Sequence, residues 1–373
     1  MVSTPETREP AAAPKGVARF LPILQWAPQY RREWLRLDLV AGLAVAALVV
    51  PKSLGYAGIA GVPIQHGLFA AAAGTILYAV FGTARQISTG PSSALAAVAG
   101  SAVLLASASG EDAVALVAAI TILTGVLFLL LAIFRMGWIS QFLSKAVITG
   151  FLFGAAIEVV VGELPKLTGT SIEGSNTWRK LYSWLGTLPD TDGETLLLGL
   201  VSLAVILGVR FADTPVPGAL VLVIGGLVAS VALGFDERGI ALVGDVPRGL
   251  GGVVLPDFGF IVDNISVIGP AALGLLLIGF SQTAGDAREF ASKHRYRIDI
   301  NQESVAQGVS NLGSGLLQGI PVSTSLSASS LNDESGARTP VASLTTGVLI
   351  VLTLLFLAPL FSDLPKAVLA ALI

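Results

Sequence analysis

The chain has 373 residues, of which 53% are hydrophobic and only 13% are charged, and its mean hydropathy is +0.79. A soluble domain carries about 25% charged residues, so this composition excludes a soluble globular protein. The formal charge of −3 argues against a nucleic-acid partner, and the lack of cysteine excludes disulfides and thiolate metal sites. The chain is therefore predicted to be an all-α polytopic membrane protein.

Residues 1–37 are predicted to form a cytoplasmic N-terminal lead, since they contain prolines and six basic residues but no secretory signal. From residue 38 onward, about twelve apolar segments follow one another, and a spanning helix needs about 20 such residues. The long segments are 38–59, 67–83, 112–134, 139–161, 194–210, 216–234, 266–286, 301–319 and 340–361, with a truncated one from Leu364.

Two further segments, 91–107 and 322–332, are short, rich in small and hydroxyl residues, and start just after Pro91 and Pro321. Interrupted segments of this kind indicate the substrate site of a transporter, because irregular backbone at membrane depth must be buried or face a water-filled cavity.

The basic residues predict the orientation of these segments. With the N-terminus inside, fifteen of the 22 Lys and Arg residues lie in inner breaks, six lie in outer breaks, and Lys52 lies within the membrane. The expected divisions are a first transmembrane repeat at 38–234, an extracytoplasmic loop at 235–265 and an incomplete second repeat at 266–373. The protein is expected in the inner (cytoplasmic) membrane.

An internal repeat supports this division. The sequence FLSKAVI at 142–148 opens one segment and DLPKAVL at 363–369 opens another; Lys145 lies 54 residues after Pro91, and Lys366 lies 45 residues after Pro321. The same order of elements recurs in opposite orientation, which predicts an inverted-topology repeat of seven plus seven segments.

The sequence resembles the SulP anion permeases, the family that includes the solute carrier 26 transporters and prestin. One block is LVVPKSLGYAGIAGVP at 48–63 with TGP at 89–91, and the other combines NQE at 301–303, QGVSNLG at 307–313, GIPVSTSLS at 319–327 and SGART at 335–339. The resemblance implies a 7+7 inverted-repeat fold whose core domain moves against a gate domain. It also implies a substrate site between the third and tenth segments, a STAS domain after the membrane domain, and a homodimer.

The two short segments predict an anion site. If they start opposite one another, their N-termini present unpaired N–H groups and about half a positive charge each. The residues at these starts are Ser92, Ser93, Ser323, Thr324, Ser325, Leu326 and Ser327. The alternative for any single hydroxyl is a helix cap.

Lys52 is the strongest single candidate for substrate binding. It stands in a segment otherwise free of charge, where an ammonium is costly and is expected to be paired or functional. Relatives usually have Gln here, and Ala328 stands where some relatives have Arg. The alternatives are that Lys52 snorkels or pairs with an acid; Tyr56, one turn later, either walls the site or packs in the core.

Three residues are candidates for ion coupling. The resemblance assigns coupling to an acid where Gln282 stands; here the carboxylate is Asp286, which either couples a proton or sodium ion or marks the inner end of its helix. Glu158 either carries a proton or lies solvated near the outer boundary.

The predicted function is secondary transport of a small anion (sulfate, bicarbonate or a dicarboxylate), coupled to protons or sodium ions. A channel-like anion exchanger and, less favoured, a nucleobase permease on the same architecture remain alternatives. An enzyme is not expected, since His66 and His294 are the only histidines and no hydrolase or P-loop motif is present. No cofactor or metal is expected; membrane lipid is the other expected partner.

Overall fold

A computed structural model describes residues 21–141, 145–172, 174, 177–212 and 218–372. Most of the predicted N-terminal lead, the start of the FLSKAVI motif and residues 213–217 lie outside this range. The described α-helices, in chain order, are α1 (Ile23–Trp26), α2 (Leu35–Ile59), α3 (Gln65–Phe81), α4 (Ser93–Leu105), α5 (Gly110–Ile133), α6 (Lys145–Thr168), α7 (Thr177–Thr187), α8 (Gly193–Phe211), α9 (Gly218–Leu233), α10 (Phe258–Asp263), α11 (Ile265–His294), α12 (Ile300–Leu316), α13 (Leu326–Glu334), α14 (Val341–Leu352) and α15 (Lys366–Leu372).

Two three-residue strands interrupt this helical chain. Strand β1 (Thr89–Pro91) precedes α4, and strand β2 (Val322–Thr324) precedes α13. They pair antiparallel, with Gly90 opposite Ser323. The two short, proline-led segments of the sequence therefore meet, as predicted, and each consists of a strand followed by a half-helix.

The centre of the protein depends on close helix packing. A Cβ atom on Gly125 of α5 would lie 2.8 Å from the carbonyl oxygen of Gly308 on α12. A Cβ atom on Gly67 of α3 would lie only 1.9 Å from the carbonyl oxygen of Ser53 on α2. Small residues allow such helix backbones to approach one another, so the glycine-rich composition has the predicted structural use.

Four described helical stretches have the length and hydropathy of a membrane span. They are Arg32–Ile59, Gly110–Ile133, Ile265–His294 and Val341–Asp363; a bent pair, Thr177–Asp190 with Gly193–Val209, would add a fifth. The half-helices α4 and α13 are too short to cross a membrane, and α12 is less apolar because polar residues line one of its faces. Counting only long apolar helices therefore gives fewer membrane spans than the approximately twelve apolar segments of the sequence.

Some segment boundaries differ from their predicted positions. Helix α6 ends at Thr168, seven residues after the predicted end; within this extension Lys166 Nζ and Glu163 Oε1 form an ion pair of 2.6 Å, which offsets part of the cost of the two charges. Helix α11 continues two turns beyond residue 286. The predicted segment 340–361 breaks after α14 into a π-helical turn and a 3₁₀ turn (Ala358–Asp363), where Pro359 removes a backbone donor.

Candidate functional site

A cleft opens where α2 passes the paired strands. The lining residues come from the middle of α2, from β1 and from the start of α13: Leu48, Val49, Lys52, Ser53, Tyr56, Ser88, Gly90, Pro91, Ser325, Ser327 and Ala328. The cleft thus lies between elements from the first and second predicted repeats.

The half-helices direct their N-terminal ends toward this region. Ser92 caps α4 by accepting a hydrogen bond from the Leu95 N–H at 3.5 Å, and Ser325 caps α13 through the Ala328 N–H at 3.4 Å. A further backbone bond of 3.0 Å, from the Ser325 N–H to the Ser88 carbonyl, extends the pairing of the two segments. Two helix N-termini held together in this way favour negative charge between them.

Lys52 supplies a fixed cation in the cleft. Its Nζ donates to Ser327 Oγ at 3.3 Å. No Asp or Glu oxygen of the described residues lies within the 4.0 Å of an ion pair from this ammonium group. The structure thus does not show the acidic partner that one alternative required, and the charge is open to the cleft.

The structure brings together only some of the predicted substrate-binding residues. Lys52, Tyr56, Ser325 and Ser327 line the cleft. The other predicted residues do not line it: Ser92, Ser93, Ser323, Thr324 and Leu326. Ser92 acts as a cap, and Leu326 is 46% exposed.

Ser323 and Thr324 point instead to α11. Ser323 Oγ donates to Gln282 Oε1 at 2.6 Å, and Thr324 Oγ1 donates to Asp286 Oδ2 at 2.7 Å. Helix α11 continues two turns past Asp286, which therefore does not stand at the helix end. Gln282 and Asp286, two of the three residues predicted for ion coupling, thus contact the strand that leads into the cleft.

Glu158 lies elsewhere. Its Oε1 accepts a hydrogen bond of 2.8 Å from Ser101 Oγ of α4, and it lines a separate cavity that also contains Glu163, Lys166 and Lys180. The carboxylate is thus bonded to a half-helix but does not face Lys52.

Two amides on α12 fix the strands and were not singled out from the sequence. Asn311 Nδ2 donates to the Val322 carbonyl at 2.9 Å, and Asn311 Oδ1 accepts from the Val322 N–H at 3.0 Å. Gln307 Nε2 donates to Thr89 Oγ1 at 3.1 Å. A readable signal exists, because Glu303, Gln307 and Asn311 recur every four residues and so share one helix face.

The connection from α3 to β1 is fixed by buried polar groups. Buried Glu303 accepts hydrogen bonds from the Tyr78 hydroxyl, the Thr83 hydroxyl and, at 2.8 Å, the Thr83 N–H.

Tyr296, in the connection between α11 and α12, also binds the segment before β1. Its hydroxyl donates to Gln86 Oε1 at 2.9 Å, and burial raises the pKa of Tyr296 to about 12. Its hydroxyl therefore stays protonated and continues to donate at physiological pH.

Comparison with known proteins identifies the family. The sequence model of the sulfate permease family matches residues 35–373. The chain belongs to the sulfate permease family. The predicted resemblance is thus confirmed, and the members of this family are integral multi-pass membrane transporters, not enzymes.

Curated relatives of this chain are transporters. It is 34% identical over 356 residues to a probable sulfate transporter of Mycobacterium tuberculosis, an alignment that covers 93% of this chain and 63% of the relative. It is 32% identical over 379 residues to human solute carrier family 26 member 6, covering 95% of this chain and 49% of the relative. The chain thus spans less than two thirds of the length of either relative.

Solved structures show the same fold. The chain superposes on the overall structure of SLC26A9 with a TM-score of 0.89 at 24% identity, covering 95% of this chain and 59% of that one. It superposes on the transmembrane domain of the cyanobacterial bicarbonate transporter BicA with a TM-score of 0.82 at 24% identity, covering 92% and 88%. The predicted 7+7 inverted-repeat fold with two facing half-helices is confirmed.

Proposed function

We propose that this permease is a secondary transporter of a small anion (sulfate, bicarbonate or a dicarboxylate), which works by alternating access and couples to protons or sodium ions. The anion binds in the cleft between α2 and the two half-helices. The names of the relatives support this substrate class, since they include sulfate transporters and a bicarbonate transporter.

One observation carries the proposal: the Lys52 ammonium faces the cleft without an acidic partner among the described residues. A buried cation is costly unless a counter-ion compensates it. Here the compensation comes from the transported anion, which the N-terminal ends of α4 and α13 also attract. Ser325 and Ser327 supply hydroxyl donors on the same wall.

The first test is sulfate binding and uptake by the full-length protein and a Lys52→Gln variant in liposomes. Loss of a charge-assisted hydrogen bond, about 1.5–3 kcal/mol, should weaken sulfate binding by roughly tenfold to a hundredfold. Lys366→Gln is the matched control, because Lys366 is exposed and does not line the cleft.

Competition defines the substrate class. Unlabelled bicarbonate or fumarate should reduce sulfate uptake, and an inward proton or sodium gradient should raise it.

Unchanged sulfate binding in Lys52→Gln would contradict the proposed site. Competition by uracil alone would favour a nucleobase permease, and uptake that no gradient drives would favour a channel-like exchanger.

A further inference from the structure

Gly90 occupies an unusual position in the cleft. It lies in β1 opposite Ser323, it is buried, and it lines the cleft together with Lys52 and Tyr56. A Cβ atom built on Gly90 would meet no atom within 4 Å.

Other buried glycines have a packing reason. A Cβ atom on Gly100 would lie 2.2 Å from the Ile59 carbonyl oxygen, and one on Gly74 would lie 2.9 Å from the Thr89 carbonyl oxygen. Those positions exclude any side chain because another backbone passes there. At Gly90 no such neighbour exists, so packing does not require glycine.

Backbone conformation does not require glycine at position 90 either. Its φ is outside the left-handed region that favours glycine. Glycine in a strand also weakens the strand, because it has greater freedom in the unfolded chain and no side chain to pack. A residue that gains nothing for folding here leaves open space at a position that lines the cleft.

We propose that Gly90 determines substrate size: the missing side chain makes room for polyatomic anions, namely oxyanions and carboxylates, which a larger residue would exclude. The space is bounded on the α2 side by Lys52 and Tyr56 and on the α13 side by Ser325 and Ser327. Ser323, opposite Gly90, does not narrow it, since its hydroxyl is bonded to Gln282 on α11. The inference rests on the proposed anion site and adds a size limit to it.

The test is a comparison of anions of increasing size on purified full-length protein. Dissociation constants for chloride, bicarbonate, sulfate and fumarate are measured by calorimetry for wild type, Gly90→Ala and Gly274→Ala. Gly274 is the matched control, because a Cβ atom there also meets no atom within 4 Å but Gly274 stands on α11 outside the cleft. Thermal unfolding of each variant shows that it is folded.

Overpacking by one methyl group should weaken fumarate and sulfate binding by about tenfold in Gly90→Ala. The dissociation constant of chloride should change by no more than about twofold, since this small ion does not reach the added methyl group. Gly274→Ala should bind all four anions as wild type does, since its methyl group lies outside the cleft. Adding Val49→Ala, which removes volume from the same cleft, should restore much of the sulfate binding.

Equal weakening of chloride and fumarate in Gly90→Ala, or no weakening of either, would overturn the inference. Failure of the wild-type protein to bind any of the four anions would instead contradict the proposed function. The two failures are therefore separable in one series of measurements.

Discussion

At the scale of single residues, each side chain of the candidate site has a defined neighbour. The Lys52 ammonium is held by Ser327, and Asp286 is held by Thr324. These contacts place a cation in the cleft and a carboxylate on the strand that leads into it. The two charges thus have separate hydrogen-bond partners on the segment from β2 to the start of α13.

This arrangement predicts the effect of replacing Asp286. Asp286→Asn keeps a hydrogen-bond acceptor for Thr324 but can neither bind a proton nor attract sodium. We expect sulfate uptake by this variant to lose its dependence on an inward proton or sodium gradient, measured in liposomes with and without each gradient. Glu289→Gln is the control, since Glu289 is an exposed carboxylate one turn later on α11. Gradient dependence that persists in Asp286→Asn would assign coupling to another group, with Glu158 the next to replace.

At the scale of elements, the three-residue strands depend on α12 for their position. Two hydrogen bonds join the Asn311 amide to the Val322 backbone, and a third joins its Nδ2 to the Gln307 carbonyl within the helix. Because β2 leads directly into α13, this amide determines where Ser325 and Ser327 stand.

Asn311→Ala leaves the buried N–H and C=O groups of Val322 without these partners. Each lost partner costs about 1–3 kcal/mol, so the thermal unfolding temperature should fall and sulfate binding should weaken as well. Asn264→Ala is the matched control, because its amide bonds the Phe260 carbonyl on α10, away from the cleft. An unchanged unfolding temperature with normal binding would show that the strand pairing holds β2 without α12.

At the scale of the whole molecule, the distribution of basic residues predicts an orientation in the membrane that is open to direct measurement. The chain has no cysteine, so single cysteines are unique labels. With the N-terminus inside, a membrane-impermeant maleimide should label Glu237→Cys in intact cells, while Glu289→Cys should react only after the cells are opened. Both side chains are exposed. The reverse pattern would place the N-terminus outside.

Much of this architecture is readable from the sequence because lipid imposes strong rules on it. Pro91 and Pro321 mark the half-helices, and a charge in an apolar segment marks Lys52. The contacts of the Ser323 and Thr324 side chains with α11 could not be predicted from the sequence. They depend on the pairing of β2 with β1, a strand more than 200 residues away, which decides which side of β2 faces the cleft. The boundary of α6 also escapes prediction, because an ion pair within the helix offsets part of the cost of its charged end.

The contact between the two strand and half-helix segments also determines when the cleft can form during synthesis of the protein. The Ser88 N–H bonds to Ser329 Oγ at 3.0 Å across a separation of 241 residues, beside the pairing of β1 with β2. During synthesis the first half-helix must therefore wait, with its N-terminal end unmatched, until most of the second repeat has been inserted. Completion of the cleft is then a late step of biogenesis, and the translated first repeat alone lacks a working site.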